Sequence, residues 1–162
     1  MASVAGKPLD GLEFELETVA ATGRLAAALA HIARIGDVIG LRGPLGAGKT
    51  AFARAFIFAL GGREEVPSPT FTLVQTYPLC PPVWHFDLYR LDNADDAREL
   101  GIEEAFADGV SLIEWPERLG PYAPADRLDI EFEILGDERR LARLTGSGAW
   151  AARLGGIDFA RD

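Results

Sequence analysis

The sequence predicts an α/β fold in which one central sheet is part parallel and part antiparallel and is flanked by helices. Three observations support this prediction: strand-like and helical segments alternate in the first half, a glycine-rich loop joins one strand to a helix, and short turns separate two later pairs of strands. The 162 residues, of which 48% are hydrophobic, suffice for one core and are few for two. We therefore expect a single domain over residues 1–162.

The first half of the chain predicts two strands and two helices. "LEFELET" alternates apolar and acidic residues, as a half-buried strand does, and residues 22–33 are rich in Ala and Leu, which favours a helix. "DVIGLR" predicts a buried strand. In the following "TAFARAFIFAL", Phe52, Phe56 and Leu60 fall on one helical face, and the glycines after Leu60 end the helix.

The second half predicts strands joined by short connections. "FTLVQTY" and "VWHFDLY" flank the turn "PLCPP" closely enough to pair antiparallel, a short acidic helical region follows, and "VSLIEW" is typical of a buried strand. "DIEFEIL", "GD" and "ERRLARL" predict a structural hairpin at about residues 128–145. Acidic residues of its first strand should face arginines of its second, and the members of this set are Asp129, Glu131, Glu133, Arg139 and Arg143. Residues beyond 150 support no prediction.

Charge and composition restrict the classes of function. The net charge is -9, so the long-range field repels phosphate polymers, and direct tight binding of nucleic acid is disfavoured. The acidic segment at residues 92–108 fits a solvated helix face better than a docking surface for a basic partner. The single cysteine, Cys80, excludes an internal disulfide and fits a reducing compartment. No signal peptide or membrane span is predicted, because the uncharged run at 66–86 contains five prolines; we expect a cytoplasmic protein.

The segment "GPLGAGKT", from Gly43 to Thr50, matches G-x-x-x-x-G-K-[ST] at every fixed position. A chain of this length matches by chance on the order of half a percent of the time. The context also fits, since a predicted strand precedes the loop and a predicted helix follows it. The motif therefore predicts a nucleoside triphosphate site in a P-loop NTPase fold, with backbone amides at the phosphates. Its residues are Gly43, Pro44, Leu45, Gly46, Ala47, Gly48, Lys49, Thr50 and Ala51.

Two residues of this motif carry side-chain chemistry. Lys49 is expected to reach the β- and γ-phosphate oxygens, and the hydroxyl of Thr50 is expected to bind Mg²⁺. Two apolar runs end in an acid, "VWHFD" at Asp87 and "VSLIE" at Glu114, at the sheet edge where ligands bind in this class of fold. We expect Asp87 at the metal and Glu114 at the metal or activating the attacking water. Each carboxylate, taken alone, is equally consistent with a structural role at a strand end.

The stretch "VPSPTFT" lies between the P-loop helix and the next strand. Pro67 and Pro69 restrict the backbone and present the hydroxyls of Ser68 and Thr70, which fits a switch segment that senses the γ-phosphate. The alternative is a rigid turn that begins an edge strand. His85, two residues before Asp87, is more often a structural histidine than a catalytic base.

The motifs "GPLGAGKT", "VPSPTFTL", "HFDLYRL" and "LIEWPERL", in this order, resemble those of the bacterial TsaE (YjeE) family of small P-loop ATPases. The resemblance extends from about residue 12 to the C-terminal hairpin. Pro44 is a departure, because the family often has an acidic residue there; the variable P-loop positions mostly contribute backbone groups.

The resemblance implies an ATPase subunit, with ATP and Mg²⁺ as cofactors, that takes part in making threonylcarbamoyladenosine in tRNA. It implies docking on the partner proteins TsaB and TsaD, where ATP turnover regulates or resets the complex. The residues that carry over are Lys49, Thr50, Ser68, Thr70, Asp87, Glu114 and Trp115, with Lys49, Thr70 and Glu114 as catalytic candidates. Tyr89 and Arg90 match the motif "DLYR" without a derived role.

Three other functions are considered. A small-molecule kinase usually has an arginine-bearing lid, and the arginines here are scattered. A signalling GTPase would carry D-x-x-G and N-K-x-D motifs after the P-loop, and neither is present. A nucleotide-dependent binding module with incidental hydrolysis is not separated from an ATPase by the sequence.

Overall fold

The structure is a computed structural model that describes residues 9–62 and 72–157. These residues form a seven-stranded sheet with helices around it. The strands are β1 Leu9–Leu16, β2 Val38–Arg42, β3 Val74–Tyr77, β4 Val83–Asp87, β5 Val110–Glu114, β6 Leu128–Gly136 and β7 Arg139–Gly146. The helices are α1 Val19–Ile32, α2 Lys49–Ala59, α3 Asp96–Glu99, α4 Ile102–Asp108 and α5 Ala149–Leu154, with a 3₁₀ segment at Pro116–Tyr122.

The sheet has the order β1-β7-β6-β2-β5-β4-β3 and is mixed, as predicted. Strand β2 lies in the middle and pairs parallel with both β5 and β6, and β5 pairs parallel with β4. The two edges are antiparallel: β3 pairs with β4 on one side, and the β6–β7 hairpin extended by β1 forms the other. The parallel centre brings the carboxyl ends of β2, β4 and β5 to the same edge of the sheet.

The sheet is covered on both faces, which explains why β5 is buried along its whole length. Helices α1 and α2 pack on one face, where their apolar residues join those of β2, β6 and β7 in the larger core cluster. Helices α3 and α4 and the 3₁₀ segment cover the other face and form a second cluster with Phe86 and Ile113. Phe52 and Phe56 of α2 are fully buried, which agrees with their predicted position on one helical face.

The predicted hairpin is present, but only part of its predicted charge pairing is. Arg143 pairs with Glu133 of β6 at 2.9 Å and with Glu13 of β1 at 3.0 Å. Arg139 instead pairs with Glu15 and Glu17, at 3.8 and 3.2 Å. The prediction failed for Arg139 because β1 adds to the free edge of β7 and supplies nearer carboxylates.

The acidic residue Asp129 of β6 has partners outside the hairpin. Its carboxylate lies 3.0 Å from the guanidinium of Arg127 and 3.5 Å from that of Arg42. The predicted pairing of Asp129 with β7 arginines is therefore wrong, because Thr145 lies opposite it in the register. For Glu131 the register confirms the predicted neighbour, since Arg143 lies directly opposite.

Residues beyond 150, for which the sequence supported no prediction, include most of α5, which packs against the end of β7. Trp150 and Leu154 are almost fully buried in the larger core cluster. Arg153 forms a bidentate ion pair with Asp37, at 2.6 and 2.7 Å, and donates to the carbonyl of Ile32 at 2.8 Å. One side chain thus connects α5 to the end of α1 and the start of β2.

Within residues 9–62 and 72–157, the structure contains no helix with the length and apolar character needed to cross a bilayer.

Candidate nucleotide-binding site

The glycine-rich loop joins the carboxyl end of β2 to the first residue of α2, Lys49, as predicted. Gly43, Gly46 and Gly48 have φ angles of 139, 81 and 109°. A side chain is strained in this region of backbone conformation, so glycine is favoured at all three positions. At Gly43 a Cβ atom would also lie 2.7 Å from the carbonyl oxygen of Phe132. Local backbone conformation therefore favours glycine at these positions, in addition to the part that the motif is proposed to play in phosphate binding.

The loop and the first turn of α2 surround a pocket of about 250 Å³. It is lined by Leu45, Gly46, Gly48, Lys49, Thr50 and Ala51, all of which belong to the predicted nucleotide-binding set. The first amides of a helix lack intrahelical acceptors and carry the positive end of the helix dipole. The pocket thus has the chemistry of an anion site.

The side chain of Lys49 is almost fully buried. Its ammonium group donates hydrogen bonds to the carbonyls of Gly43 and Pro44, the latter at 3.0 Å, and lies 4.1 Å from the ring centroid of Trp115. Among the described residues, these contacts satisfy the buried cation without a direct carboxylate partner. Burial lowers the pKa of Lys49, and the negative charge of Glu114 opposes this effect, as do Glu117 and Asp87 more weakly. A ligand that brings negative charge to the ammonium would favour its charged form.

Glu114 at the end of β5 reaches the P-loop. The hydroxyl oxygen of Thr50 lies 2.9 and 3.0 Å from the two carboxylate oxygens of Glu114 and donates its proton to them. Glu114 is 3% exposed, so this hydrogen bond is formed largely out of water. The structure therefore joins two of the predicted site residues that are 64 positions apart in the chain.

His85 contacts the same carboxylate. With its proton on Nε2, it donates to Oε2 of Glu114 at 2.7 Å, and its side chain is fully buried. The Nδ1 atom of His85 has no hydrogen-bond partner among the described residues. Strand alternation predicts that His85 lies on the same side of the sheet as Asp87. Its contact with Glu114 could not be predicted in this way, because it depends on the pairing of β4 with β5.

Asp87 ends β4 directly beside Glu114, because the two residues are register partners in adjacent parallel strands. Asp87 is 7% exposed, and its Oδ1 accepts a hydrogen bond from the backbone N–H of Tyr89 at 3.1 Å. The two predicted acids thus lie side by side at the edge that carries the P-loop. Of these two acids, Glu114 accepts the hydrogen bond from Thr50.

Trp115 follows Glu114 in a left-handed backbone conformation, with φ of 62°, which is uncommon for a bulky residue. Its N–H donates to the carbonyl of Leu41 on β2 at 3.3 Å. The indole ring lies between Lys49 and Tyr89, whose ring centroid is 4.9 Å away. This strained turn aims the ring at the P-loop lysine, which gives the predicted site residue Trp115 a concrete contact.

The predicted switch residues Ser68 and Thr70 lie outside the described residues, as does most of "VPSPTFT". Within the described part of the chain, no group of three or more His, Cys, Asp or Glu side chains is arranged to hold a metal ion.

A further residue at the loop, Arg140, was not predicted from the sequence. It belongs to no motif, and its contacts depend on the position of β7.

The chain is similar to known proteins of one family. The family model described as "Threonylcarbamoyl adenosine biosynthesis protein TsaE" matches residues 16–142. A tRNA threonylcarbamoyladenosine biosynthesis protein TsaE from Bacillus subtilis is 39% identical over 129 residues, covering 78% of this chain and 80% of that protein. The protein of the same name from Treponema pallidum is 36% identical, covering 74% of this chain and 89% of its own length.

A solved structure shows the same fold. The crystal structure of Bacillus subtilis YdiB superimposes with a TM-score of 0.76 at 31% sequence identity, covering 93% of this chain and 95% of that chain. The α/β fold with a mixed sheet is thus shared over almost the entire length. Since the family model also spans most of the sequence, the chain belongs to the TsaE family of threonylcarbamoyl adenosine biosynthesis proteins.

Proposed function

We propose that this protein is a Mg²⁺-dependent ATP-binding and ATP-hydrolysing subunit in the synthesis of threonylcarbamoyladenosine in tRNA, acting on a complex of TsaB and TsaD. The observation that carries the proposal is the hydrogen bond of 2.9 Å between Thr50, at the P-loop, and Glu114, at the end of a neighbouring strand. It connects the predicted phosphate site to a buried carboxylate. A phosphate site alone would support binding, and the added carboxylate supports catalysis.

The P-loop residues bind the triphosphate in this proposal. Backbone amides of Gly46 and Gly48 and the amino end of α2 face the phosphates, and Lys49 exchanges its contacts with the carbonyls of Gly43 and Pro44 for phosphate oxygens. This exchange is favourable because an anionic oxygen is a stronger acceptor than a carbonyl. The ring of Trp115 limits the access of water to the ammonium.

The residues present fit a magnesium ion. Mg²⁺ prefers oxygen ligands and is usually held by one or two protein groups together with substrate phosphates and water. Thr50, Asp87 and Glu114 supply such oxygens at one edge, and the described residues lack the three-ligand cluster that would hold a metal without a nucleotide. Thr50 would hold the ion directly, with the two carboxylates acting directly or through water. The ion would neutralise charge on the phosphate oxygens.

Glu114 is the proposed catalytic carboxylate. Its carboxylate accepts hydrogen bonds from Thr50 and His85, so it is held in one orientation beside the P-loop. It can orient an attacking water and accept its proton. Thr70, the remaining catalytic candidate, is proposed to contact the γ-phosphate.

The experiment measures ATP hydrolysis by the purified protein, alone and with TsaB and TsaD, for the parent chain, Glu114→Gln and Lys49→Ala. We expect the partners to stimulate turnover. Glu114→Gln should lose about a hundredfold or more of the turnover while retaining nucleotide affinity, since the amide keeps the shape without the base. Lys49→Ala should lose tight binding itself, which calorimetry with a non-hydrolysable ATP analogue measures.

The outcomes separate an ATPase from a binding module. Stimulation that disappears in Glu114→Gln supports a partner-gated ATPase. Nucleotide binding with turnover that is equal in the parent and Glu114→Gln would instead indicate a binding module with incidental hydrolysis. Unchanged affinity in Lys49→Ala would contradict the assignment of the P-loop as the nucleotide site.

A further inference from the structure

Arg140 lies in β7, far along the chain from every motif of the sequence, yet its side chain donates hydrogen bonds to backbone carbonyls of the P-loop. We propose that Arg140 is a positioning residue that holds the P-loop in its phosphate-binding conformation and couples it to the β6–β7 turn. This inference rests on the proposed nucleotide site. It adds a residue to that site that has no counterpart in the P-loop motif itself.

The position of Arg140 follows from strand alternation. Ala142 and Leu144 point into the core beneath α1 and α2, so Arg140 lies on that same face of the sheet, at the end of the strand. Its register partner in β6 is Ile134. Arg139 and Arg143 point to the opposite face. Of these three arginines, Arg140 alone lies on the face that carries the P-loop and α2.

The guanidinium group donates to two consecutive carbonyls of the loop. Its Nε atom lies 3.1 Å from the carbonyl oxygen of Ala47, and Nη2 lies 3.1 Å from that of Gly46. The planar fork of arginine suits such a pair of acceptors, whereas a lysine ammonium cannot match both directions with the same rigidity. The contact spans 93 and 94 positions of sequence, so it is a tertiary constraint on the loop.

These two bonds fix the orientation of the loop amides. In a trans peptide, the carbonyl and the following N–H point in opposite directions. When Arg140 holds the carbonyl of Ala47, the N–H of Gly48 therefore points away from the guanidinium, and Gly48 lines the phosphate pocket. The peptide between Gly46 and Ala47 is held at both ends, because the N–H of Ala47 donates to the carbonyl of Pro44 at 3.1 Å.

The same guanidinium also holds the β6–β7 turn. Its Nη1 atom donates to the carbonyls of Asp137 at 2.7 Å and Arg139 at 2.9 Å. One planar group therefore connects a loop that binds phosphate to a turn at the edge of the sheet. A displacement of that turn would move the guanidinium and loosen the two loop carbonyls, which provides a route by which contacts at the turn can change nucleotide affinity.

The charge environment of Arg140 distinguishes this contact from an ordinary surface ion pair. Arg139 and Arg143 each pair with two carboxylates, which neutralise their charge. Among residues 9–62 and 72–157, Arg140 forms no salt bridge with a carboxylate, and its hydrogen bonds all go to backbone carbonyls. Its positive charge is therefore retained beside a loop proposed to bind a polyanion.

The test compares Arg140→Ala and Arg140→Lys with Arg143→Gln, a matched control on the opposite face of the same strand. Affinity for a non-hydrolysable ATP analogue with Mg²⁺ is measured by calorimetry on the full chain. We expect Arg140→Ala to bind roughly tenfold to a hundredfold more weakly, the range typical for removing a group that orients ligating atoms. Arg140→Lys should lose less affinity, because its ammonium keeps the positive charge and can donate to one of the two loop carbonyls. Arg143→Gln should bind the analogue as the parent does.

Two further measurements separate positioning from loss of folding. In the nucleotide-free protein, hydrogen exchange at the Ala47 amide, followed by NMR, should be faster in Arg140→Ala and unchanged in Arg143→Gln. Guanidinium ion at low millimolar concentration should restore part of the affinity of Arg140→Ala, whereas it would not restore the affinity of a variant that is merely unstable. Parental affinity in Arg140→Ala, or weakened affinity with unchanged exchange at Ala47 and no rescue, would overturn the inference.

The same experiment distinguishes failure of this inference from failure of the proposed function. If the parent chain binds no nucleotide, the proposed site is wrong. If the parent binds nucleotide, Lys49→Ala does not, and Arg140→Ala binds as the parent does, the site stands and the role of Arg140 is refuted.

Discussion

At the scale of single residues, His85 contacts Glu114, the proposed catalytic carboxylate. It is fully buried in β4, and its Nε2 atom lies 2.7 Å from Oε2 of Glu114. A buried carboxylate that accepted only the Thr50 proton would be free to rotate about its last torsions, whereas a second donor from an adjacent strand restricts it. His85 therefore restricts the orientation of Glu114, whose proposed role is to contact the attacking water.

Replacing His85 should separate turnover from binding. We expect His85→Leu to lower kcat of ATP hydrolysis about tenfold or more and to change nucleotide affinity little, because Lys49 and the loop amides are untouched. His85→Gln, which can still donate a hydrogen bond, should retain more of the turnover. Single-turnover kinetics and calorimetry measure the two quantities separately.

The matched control for this prediction is Ser111→Ala. Ser111 is fully buried in β5, and its hydroxyl has no hydrogen-bond partner among the described residues. A general effect of disturbing the buried sheet would appear in both variants. Equal kcat values for His85→Leu and Ser111→Ala would show that His85 is structural only.

At the scale of elements, the position of the P-loop depends on the contacts that connect α1 and α5 to the start of β2. The ion pair of Asp37 and Arg153 is nearly buried, with side chains 10 and 12% exposed. The carboxylate of Asp37 also accepts the N–H of Arg34 at 2.6 Å. This cluster connects α1, α5 and the start of β2, and β2 leads directly to the P-loop.

Removing one partner of that pair should destabilise the protein strongly. We expect Asp37→Ala to lower the free energy of unfolding by about 3 kcal/mol, because Arg153 is left with a charge that is neither paired nor well solvated. Urea unfolding, followed by circular dichroism, measures the change. The control is Arg143→Gln, whose exposed ion pairs should contribute much less to the free energy of unfolding, because water screens them. Similar losses in the two variants would contradict the argument from burial.

At the scale of the whole molecule, the net charge of -9 sets what the protein can bind without partners. Phosphate polymers are repelled at long range, and the positive groups of the site, Lys49 and the helix terminus, suit one small polyanion in a pocket of about 250 Å³. This charge distribution supports the proposed function, in which this subunit binds nucleotide and other proteins hold the tRNA. The single-domain assignment over residues 1–162 stays a prediction.

The isolated protein should therefore not bind tRNA appreciably. At about 0.15 M salt we expect no saturable binding at micromolar protein, where proteins that neutralise several phosphates do bind nucleic acid. Fluorescence anisotropy with labelled tRNA is the measurement, repeated with Mg²⁺ and nucleotide. A micromolar Kd that weakens steeply with added salt would reveal a basic surface that the net charge conceals.

The sequence by itself determined the fold class, the order of the main strands and helices, and the position of the glycine-rich loop. Local rules govern these features: hydrophobic periodicity marks each element, and a P-loop is one continuous segment whose glycines have a conformational requirement that the φ angles of Gly43, Gly46 and Gly48 confirm. The same rules identified Asp87 and Glu114 as acids at strand ends. The roles assigned to them remain predictions, as do those of Ser68 and Thr70.

Only the tertiary structure decided which distant residues meet. The contacts of Glu114 with Thr50 and His85, and of Arg140 with the loop carbonyls, require the strand order β7-β6-β2-β5-β4, which no local pattern encodes. The pairing of Arg139 with β1 was missed for the same reason. The physical cause is that strand order results from the packing of both sheet faces at once, so a partner 93 positions away leaves no signal in the neighbouring sequence.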